Sequence, residues 1–375
     1  MGVEISTVRS ARDLDTFLRL PWRIYRQDSN WVPPLLSSER KILDRARNPF
    51  WAHAEAEHFL ARRGGEPVGR VSAILNPRHN EVHGGKTGFF GWFECEQDPE
   101  AAQPLLRAAE EWLRSKGMES SLGPANPSLN DTAGMLVDGY EWPPFILMTH
   151  NPRYYADLVA GAGYRKAMDL LAYLIVHTDV DREKVDRIAE RVRSSAKISL
   201  RTIDMGRFEE ELRLVTEIYN DAWEKNWGFV PMSQEEIRFA AEDMKAIVLP
   251  ELVYFAEVGG EVAGFALALP NINLALKKCN GRLWPFGWFH FLKFRLRKIP
   301  TFRVVALGIR KKFQSLGLGT LFYQKYLDQH PERGYVAAEM SWILESNEAM
   351  NRPARLMGGK HYKTYRMYEK GLTSQ

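Results

Sequence analysis

The stretch that decides the fold is residues 303–320, which reads RVVALGIRKKFQSLGLGT. Its first seven residues are mostly apolar and β-branched at several positions, which predicts a buried strand over 303–309. After the glycines comes an amphipathic stretch typical of a helix, with Leu321, Phe322, Tyr326 and Leu327. This order suits a pyrophosphate, because N–H groups at a helix N-terminus are unsatisfied, the helix dipole favours an anion, and glycine lets the backbone come close. Arg310, Lys311 and Lys312 add positive charge.

Composition limits the protein class. At 375 residues the chain is long enough for two ordinary domains, and 45% hydrophobic with 26% charged residues is typical of soluble globular proteins. The net charge of +4 favours an anionic ligand without indicating nucleic acid. Cys95 and Cys279 lie far apart, which predicts neither a disulfide framework nor a metal cluster. With no signal-peptide pattern and no apolar run of roughly 20 residues, we expect a cytoplasmic protein.

A short repeat divides the chain. Residues 64–69 read GGEPVG and residues 259–264 read GGEVAG, each between two apolar runs. The Gly-Gly pair supplies the positive φ of a tight turn, so each copy predicts a β-hairpin. The flanking runs are 56–61 and 68–75 in the first copy, and 252–258 and 262–269 in the second.

The elements around the two hairpins also match, giving the order β-α-β-β-β-α-β-α-β twice. In the first copy we expect helices at 11–25 and 99–116 and strands at 88–93 and 161–175; in the second, helices at 207–223, 234–247 and 318–329 and strands at 303–309, 336–344 and 358–369. The predicted fold class is α/β, with two similar domains in tandem, each a mixed, mostly antiparallel sheet flanked by helices. The charged segment 179–195 would connect them. The alternative is that the hairpin match arose by chance.

The glycine loop carries a resemblance to a known family. Residues 314–319, QSLGLG, fit the pattern Q/R-x-x-G-x-G/A and lack the Lys-Ser/Thr ending of a P-loop. This pattern resembles the acyl-CoA signature of the GNAT superfamily of N-acyltransferases. The resemblance implies a GNAT domain at 197–375, a connector at 177–196 and a degenerate GNAT-like domain at 1–176. A glycine-rich β-α turn in another α/β fold is the alternative.

The first copy keeps the scaffold without the signature. Its corresponding loop, residues 94–99, reads ECEQDP, which has no glycine and three carboxylates that would repel a pyrophosphate. Asp98 followed by Pro99 is instead a good helix N-cap with proline at the first turn. We therefore expect this half to form a helix without binding CoA, and to shape the acceptor pocket or the domain interface.

The resemblance implies a set of donor contacts, with acetyl-CoA or another acyl-CoA as cosubstrate and no metal. Backbone N–H groups of the loop would hold the pyrophosphate, and the end of the strand would pair with the pantetheine arm like an added strand. Asn347 would contact the cofactor, although capping the next helix is an equally good role. These residues are Leu307, Gly308, Ile309, Gln314, Ser315, Leu316, Gly317, Leu318, Gly319, Thr320 and Asn347.

The implied reaction is acyl transfer, with acetyl as the expected group, to an amine of a small molecule or peptide. The tyrosine that this family often places seven residues after the asparagine is replaced by Ala354, so the usual general acid is missing. Replacements are Tyr362, Tyr365 or Tyr323. Glu339 and Glu345 are candidate bases, acting directly or through water, or else surface carboxylates. A non-catalytic CoA-binding regulator and a structural dimer are the alternative functions.

Two further segments stand out. The polar loop 123–134 supplies candidate acceptor contacts in Asn126, Asn130 and Asp131, unless these side chains only satisfy their own turns. His150 is predicted to be structural.

The insertion 276–301 contains WPFGWFHFLKFRLRK at 284–298. It would lie at a membrane surface, line an apolar pocket, or pack on the first domain as a clamp, which we favour. The expected partners are an amine acceptor, a weakly contacted membrane surface and a second copy of the chain, but no nucleic acid.

Overall fold

The structure is a computed structural model that describes residues 2–284, 287–289 and 299–372. The helices are α1 Ala11–Ile24, α2 Leu36–Leu43, α3 Pro77–His83, α4 Pro99–Ser115, α5 Tyr155–Gly161, α6 Arg182–Ser195, α7 Phe208–Trp223, α8 Gln234–Lys245, α9 Asn273–Cys279, α10 Gly319–Arg333 and α11 Glu348–Leu356. The strands are β1 Val3–Thr7, β2 Glu55–Arg63, β3 Glu66–Leu75, β4 Thr87–Cys95, β5 Ser120–Gly123, β6 Ala125–Asn126, β7 Thr132–Ala133, β8 Met135–Asp138, β9 Arg165–Val176, β10 Ile198–Thr202, β11 Val253–Val258, β12 Glu261–Pro270, β13 Thr301–Ile309, β14 Ala337–Leu344 and β15 Lys360–Gly371. Among these described residues, no helix is long and apolar enough to cross a membrane.

The chain packs as two compact units. The first unit contains Met1–Leu170, Leu276–Trp288 and Lys363–Gln375, and the second contains Leu171–Ala275 and Phe289–Tyr362. These units describe packing, and two segments from the second half of the sequence enter the first of them. The tandem-domain boundaries read from the sequence stay a prediction.

The same sheet topology occurs in both units. In the first, β1 to β5 lie side by side in chain order, with three antiparallel ladders followed by a parallel one between β4 and β5. In the second, β10 to β14 repeat this order, and β13 and β14 form the parallel ladder. The predicted repeat and the predicted mixed, mostly antiparallel sheets are therefore confirmed.

The two Gly-Gly turns have nearly the same backbone. Gly64 and Gly65 have φ of 58° and 85°, and Gly259 and Gly260 have φ of 61° and 88°. A two-residue hairpin of this kind needs positive φ at both central residues, where a side chain is strained. Each turn joins a pair of antiparallel strands at the predicted place, β2 with β3 and β11 with β12.

The sheet of the second unit has two different faces. On one face, Ala266, Val304 and Met340 share a core with α10 residues such as Phe322. On the other face, Phe255 and Phe265 pack against α7. Successive residues of the β13–β14 ladder point to opposite faces. Further along β13 the alternation is interrupted, because the pairing with β12 shifts register between Leu267 and Ala268.

The charged segment read as a connector forms helix α6. Its Val185, Ala189 and Val192 are buried in the core shared with α10. These positions are spaced four and three residues apart, so they lie on one helix face. The segment is thus a packed element of the second unit as well as a link in the chain.

Candidate active site

The glycine loop joins β13 to α10 in the second unit. Residues Lys311–Leu316 form a 3-10 turn, Gly317 follows with φ of 74°, and α10 begins at Gly319. Gln314 folds back, its Nε2 donating to the Ile309 carbonyl over 3.2 Å. The N-cap residue of α10 is Leu318, which is fully buried and has no side-chain oxygen that could accept from the helix. No side chain caps α10, and the N–H groups of Thr320 and Leu321 donate to the carbonyls of Gly317 and Leu318, each over 3.0 Å. The remaining N–H groups of this helix end are those that an anionic ligand would meet.

The three cations of this loop form ion pairs in the structure. One partner lies on α7 and another is the residue directly after it, so these pairs tie the loop to that helix. Because the carboxylates compensate this charge, the attraction for a pyrophosphate depends more on the helix end than the sequence suggested. The pairs are Arg310 with Glu217 at 2.8 Å, Lys311 with Glu224, and Lys312 with Glu261 at 2.6 Å.

The strand that leads into the loop has a partly unpaired edge. The ladder between β13 and β14 covers Thr301–Val304 and Ala337–Met340, whereas β13 itself runs on to Ile309. A pantetheine arm could add to this edge like a strand. At Gly308 a Cβ atom would lie 2.5 Å from the Trp223 ring of α7, so glycine there allows α7 to pack closely against the end of β13.

A buried polar cluster lies beside the point where this ladder ends. Glu339 is fully buried, and it accepts hydrogen bonds from the Tyr362 hydroxyl and from Ser341 Oγ, the latter over 2.6 Å. Arg303 pairs with Glu339 in the parallel register, with 3.6 Å between Nε and Oε1. Arg303 Nε also donates to Ser341 Oγ over 2.9 Å. The strand neighbours Val304 and Met340 face α10, so this cluster faces the α7 side.

The surroundings of Glu339 compensate the burial of its carboxylate. Burying a carboxylate is costly unless it is paired and hydrogen-bonded, and Arg303 and two hydroxyl donors meet that need. Tyr362 is only partly buried. Tyr362 therefore joins the buried Glu339 to a less buried residue, as a general acid or base would require.

The structure brings together two of the three predicted catalytic residues, Glu339 and Tyr362. Glu345 lies in the turn after β14, and its carbonyl accepts from Asn351 Nδ2 over 3.3 Å. Ala354 is fully buried in α11. Tyr323 is buried too, and burial raises the pKa of its hydroxyl.

Sequence reasoning missed Arg303 and Ser341. A signal for the first was present, because Arg303 interrupts an otherwise apolar strand, and a charged residue in a buried strand needs a partner. Glu339 interrupts β14 in the same way and is that partner.

Asn347 has the capping role. Its side chain accepts from the Met350 N–H over 3.2 Å at the start of α11. Its contact with the cofactor stays a prediction, as do the backbone contacts proposed for Leu307 to Ile309 and for Gln314 to Thr320.

In the first unit the equivalent loop is closed by the chain's own carboxylates. Asp98 caps α4, accepting from the N–H groups of Glu100 and Ala101, and it pairs with Arg63 at 2.7 Å. Glu94 is largely withdrawn from solvent, which raises its pKa, and it accepts from the hydroxyls of two tyrosines. The predicted N-cap at Asp98 with Pro99 in the first turn is confirmed.

The candidate acceptor residues make local contacts. Asn126 Oδ1 accepts from the Trp92 N–H over 2.5 Å, which fixes the short β6 strand to β4. Ser128 Oγ donates to Asp131 over 2.6 Å and accepts from the Asn130 N–H over 3.2 Å. These bonds match the interpretation in which the loop satisfies its own turns, and acceptor binding by these residues stays a prediction. His150 pairs with Asp28 at 2.8 Å, in line with its predicted structural role.

The first part of the aromatic insertion packs within the first unit. Trp22 Nε1 donates to Asn280 Oδ1 over 2.8 Å, and the Leu36 N–H donates to the Gly281 carbonyl over 3.0 Å. These contacts support the clamp interpretation for residues 276–284. Trp284 and Trp288 are nevertheless 79% and 49% exposed. Residues 285–286 and 290–298 lie outside the described part of the chain, and contact with a membrane or a second copy stays a prediction.

Comparison with known proteins fits this geometry. The model of the Acetyltransferase (GNAT) family matches residues 212–358. The chain is 40% identical to a protein named bacterial ceramide synthase from Caulobacter vibrioides (strain NA1000 / CB15N), over 99% of this chain and 98% of that one. It is 35% identical to Protein YghO of Escherichia coli (strain K12), over 98% and 95% of the two chains.

A likeness to solved structures concerns the fold. A tandem GNAT protein from the clavulanic acid biosynthesis pathway superposes with a TM-score of 0.58 at 12% identity, covering 100% of this chain and 99% of that one. At this identity the likeness supports two related domains in tandem and carries nothing about substrates.

Proposed function

Because the chain belongs to the GNAT superfamily, we propose that it is an acyl-CoA-dependent N-acyltransferase whose acceptor is a long-chain amine. The observation that carries the proposal is the hydrogen bond from Tyr362 to the buried Glu339, placed beside the end of the β13–β14 ladder. A buried carboxylate hydrogen-bonded to the hydroxyl of a partly exposed tyrosine supports proton transfer in acyl transfer.

The donor would lie along β13 with its pyrophosphate at the open end of α10. Leu318 leaves that helix end uncapped, and Gly319 has room beside it, because the nearest atom to an added Cβ would be in the Tyr323 ring at 3.8 Å. The thioester would then sit near the end of the ladder. Contacts with the pyrophosphate at α10 and with the pantetheine arm along β13 would fix the position of the reacting carbonyl. This lowers the entropy cost of the reaction.

In the chemical step, the Tyr362–Glu339 pair takes one proton from the amine and gives one proton to the leaving thiolate. The amine nitrogen attacks the thioester carbonyl carbon, and the bond from carbon to sulfur breaks. Tyr362 takes the proton of the attacking nitrogen as its own proton moves to Glu339, and the leaving thiolate then takes a proton back through Tyr362. Acyl-CoA and amine give amide and free CoA, and Glu339 and Tyr362 return to their starting states. Arg303 stays beside Glu339 and stabilises its charged form.

The acceptor class rests on the relative from Caulobacter vibrioides. A ceramide is an amide of a fatty acid and a long-chain amino alcohol, and the identity of 40% extends over nearly the whole of both chains. This acceptor is within the class of small-molecule amines that the sequence predicts. The acetyl group expected from the sequence is one donor to be tested against longer acyl groups.

The test is an amine panel with a fixed acyl-CoA. We expect release of free thiol and formation of the matching amide, measured by mass spectrometry, with a long-chain amino alcohol. A short hydrophilic amine and a lysine-containing peptide serve as comparison acceptors. Thiol release only with the peptide would contradict the acceptor class. CoA binding without thiol release from any amine would instead favour the regulatory alternative.

A further inference from the structure

An apolar cavity lies in the second unit on the α10 side of β13 and β14. Its volume is about 40 Å³, and its walls include Phe302, Val304, Tyr323, Tyr326, Met340 and Met357. Protein interiors are close-packed, and an unfilled apolar space of this size lowers stability. A cavity that is retained in such a place is therefore a candidate ligand site.

The lining residues of the cavity differ between its two ends. At one end it is lined by Val304 and Met340, the last pair of the β13–β14 ladder. At the other end it reaches Val336, which is 47% exposed, and His177. The lining covers β14 from 337 to 340, a length of about 10 Å at roughly 3.3 Å per residue. The lining therefore extends from the last pair of the ladder to an exposed residue, and we call this space the channel.

We propose that this channel holds the hydrocarbon chain of a fatty-acyl-CoA. The inference rests on the proposed function, since it takes the thioester to lie near the end of the ladder. The Glu339 cluster occupies the α7 side of the same strands, and the channel occupies the α10 side. A chain that leaves the thioester between β13 and β14 can enter the channel, while the amine approaches the polar cluster. The open end at Val336 lets longer chains protrude.

The lining is suited to methylene groups. Apart from His177 at the open end, the walls are aliphatic, aromatic or thioether side chains. The Tyr326 hydroxyl is already bonded to the Leu252 carbonyl over 3.2 Å, so it is satisfied without a polar ligand. Burying each methylene in such a site should raise affinity about fourfold.

The experiment measures affinity and needs no turnover. Free CoA and a series of S-alkyl-CoA thioethers, with chains of about two to sixteen carbons, are titrated by calorimetry into the full-length protein. Each buried methylene should add about 0.8 kcal/mol to the binding free energy. We expect affinity to rise with chain length and then level off as the chain reaches the open end. A flat series in a protein that binds free CoA would overturn the channel and leave the proposed function standing. If free CoA does not bind, the proposed function fails and this inference with it.

A channel-filling variant locates the effect. Ala338 lines the cavity, so Ala338→Leu should flatten the series for the longer chains and leave the affinity for free CoA unchanged. Val304→Ile adds one methyl group at the other wall and should act in the same direction if Ala338→Leu proves unstable. Ala349→Leu, at an exposed position of α11, is the matched control and should keep the full rise. A full rise in folded Ala338→Leu and Val304→Ile would show that the chain binds elsewhere.

Discussion

The loops after β4 and β13 hold the same place in two sheets of the same topology, but their chemistry is opposite. In the first unit Asp98 caps α4 and Arg63 neutralises it, so the helix end is occupied. In the second unit Leu318 stands at the N-cap of α10, and the helix end has no side-chain acceptor. The difference teaches that the scaffold alone does not make a phosphate site. What decides is whether the chain supplies its own anion.

Closing the second loop with an anion should have the largest effect. Gly319→Asp adds a carboxylate to the first turn of α10. The helix dipole stabilises this carboxylate, but the carboxylate repels a pyrophosphate. One charge pair at ~4 Å in an effective dielectric constant of about 20 is worth about 4 kcal/mol, so the Kd for CoA should rise about 1000-fold. Calorimetric titration gives the Kd. Gly319→Asn has the same shape without the charge and should lose far less affinity; equal losses in the two variants would argue against an anion site.

Acid should distinguish the two copies. His58 of β2 is partly buried, and desolvation, together with the charges of Arg45 and Arg70, lowers its pKa to about 4. Val253 stands at the matching position before the second Gly-Gly turn. In the unfolded chain His58 binds a proton below about pH 6.5, whereas in the folded protein it stays neutral down to about pH 4. Its contribution to the free energy of unfolding is therefore fully present above pH 6.5 and is lost as the pH falls toward 4. The loss is about 3 kcal/mol at ~1.4 kcal/mol per unit of pKa difference.

The measurement is the free energy of unfolding against pH for the wild type and His58→Gln. The variant should show a shallower fall between pH 6.5 and 4. His361→Gln, at an exposed position of β15, serves as the control and should follow the wild type. If the wild type and His58→Gln have parallel curves, His58 does not titrate as described.

Removing the hydroxyl in front of Glu339 should slow turnover without weakening donor binding. Tyr362→Phe keeps the ring and loses the proton path, so kcat should fall about 100-fold while the Kd for CoA stays the same. Steady-state kinetics and calorimetry separate the two quantities. Tyr254→Phe removes a buried structural hydroxyl that accepts from Gln329 over 3.1 Å, and it should keep kcat. An unchanged kcat in Tyr362→Phe would remove this residue from the mechanism.

Opening the first loop should have the smallest effect, and only on stability. Asp98→Ala removes the cap of α4 and should lower the free energy of unfolding by about 1–2 kcal/mol. Asp98→Asn keeps the cap and loses the charge, so it should be less destabilising. Chemical denaturation gives both values. A stability for Asp98→Ala equal to that of the wild type would mean that the carboxylate is not needed to complete the helix end.

Sequence patterns predicted the scaffold because they depend on local chemistry. The paired glycines at 64–65 and 259–260 require positive φ, and alternating burial identifies the strands on either side. The glycine loop was placed correctly for the same reason. Helix α6 was taken for a connector because its charges dominate, although Val185, Ala189 and Val192 show the spacing of a buried helix face.

The cluster around Glu339 was harder to predict because it depends on strand register. Glu339 and Tyr362 were candidates on residue type alone, and nothing in the sequence states that β15 brings Tyr362 to Glu339. Arg303 enters through the parallel pairing of β13 with β14, which joins residues 36 positions apart. Contacts of the loop cations with α7 also come from tertiary packing, so the sequence overstated the free positive charge of that loop.

We expect only the second copy to hold the acyl donor, and the stoichiometry of CoA binding distinguishes one site from two. Calorimetric titration of the full-length protein with CoA should give one site per chain. Two sites would show that the carboxylates of the first loop do not exclude a pyrophosphate, and no binding would remove the donor site altogether. A single site that survives unchanged in Gly319→Asp would place the donor away from α10 and contradict the account.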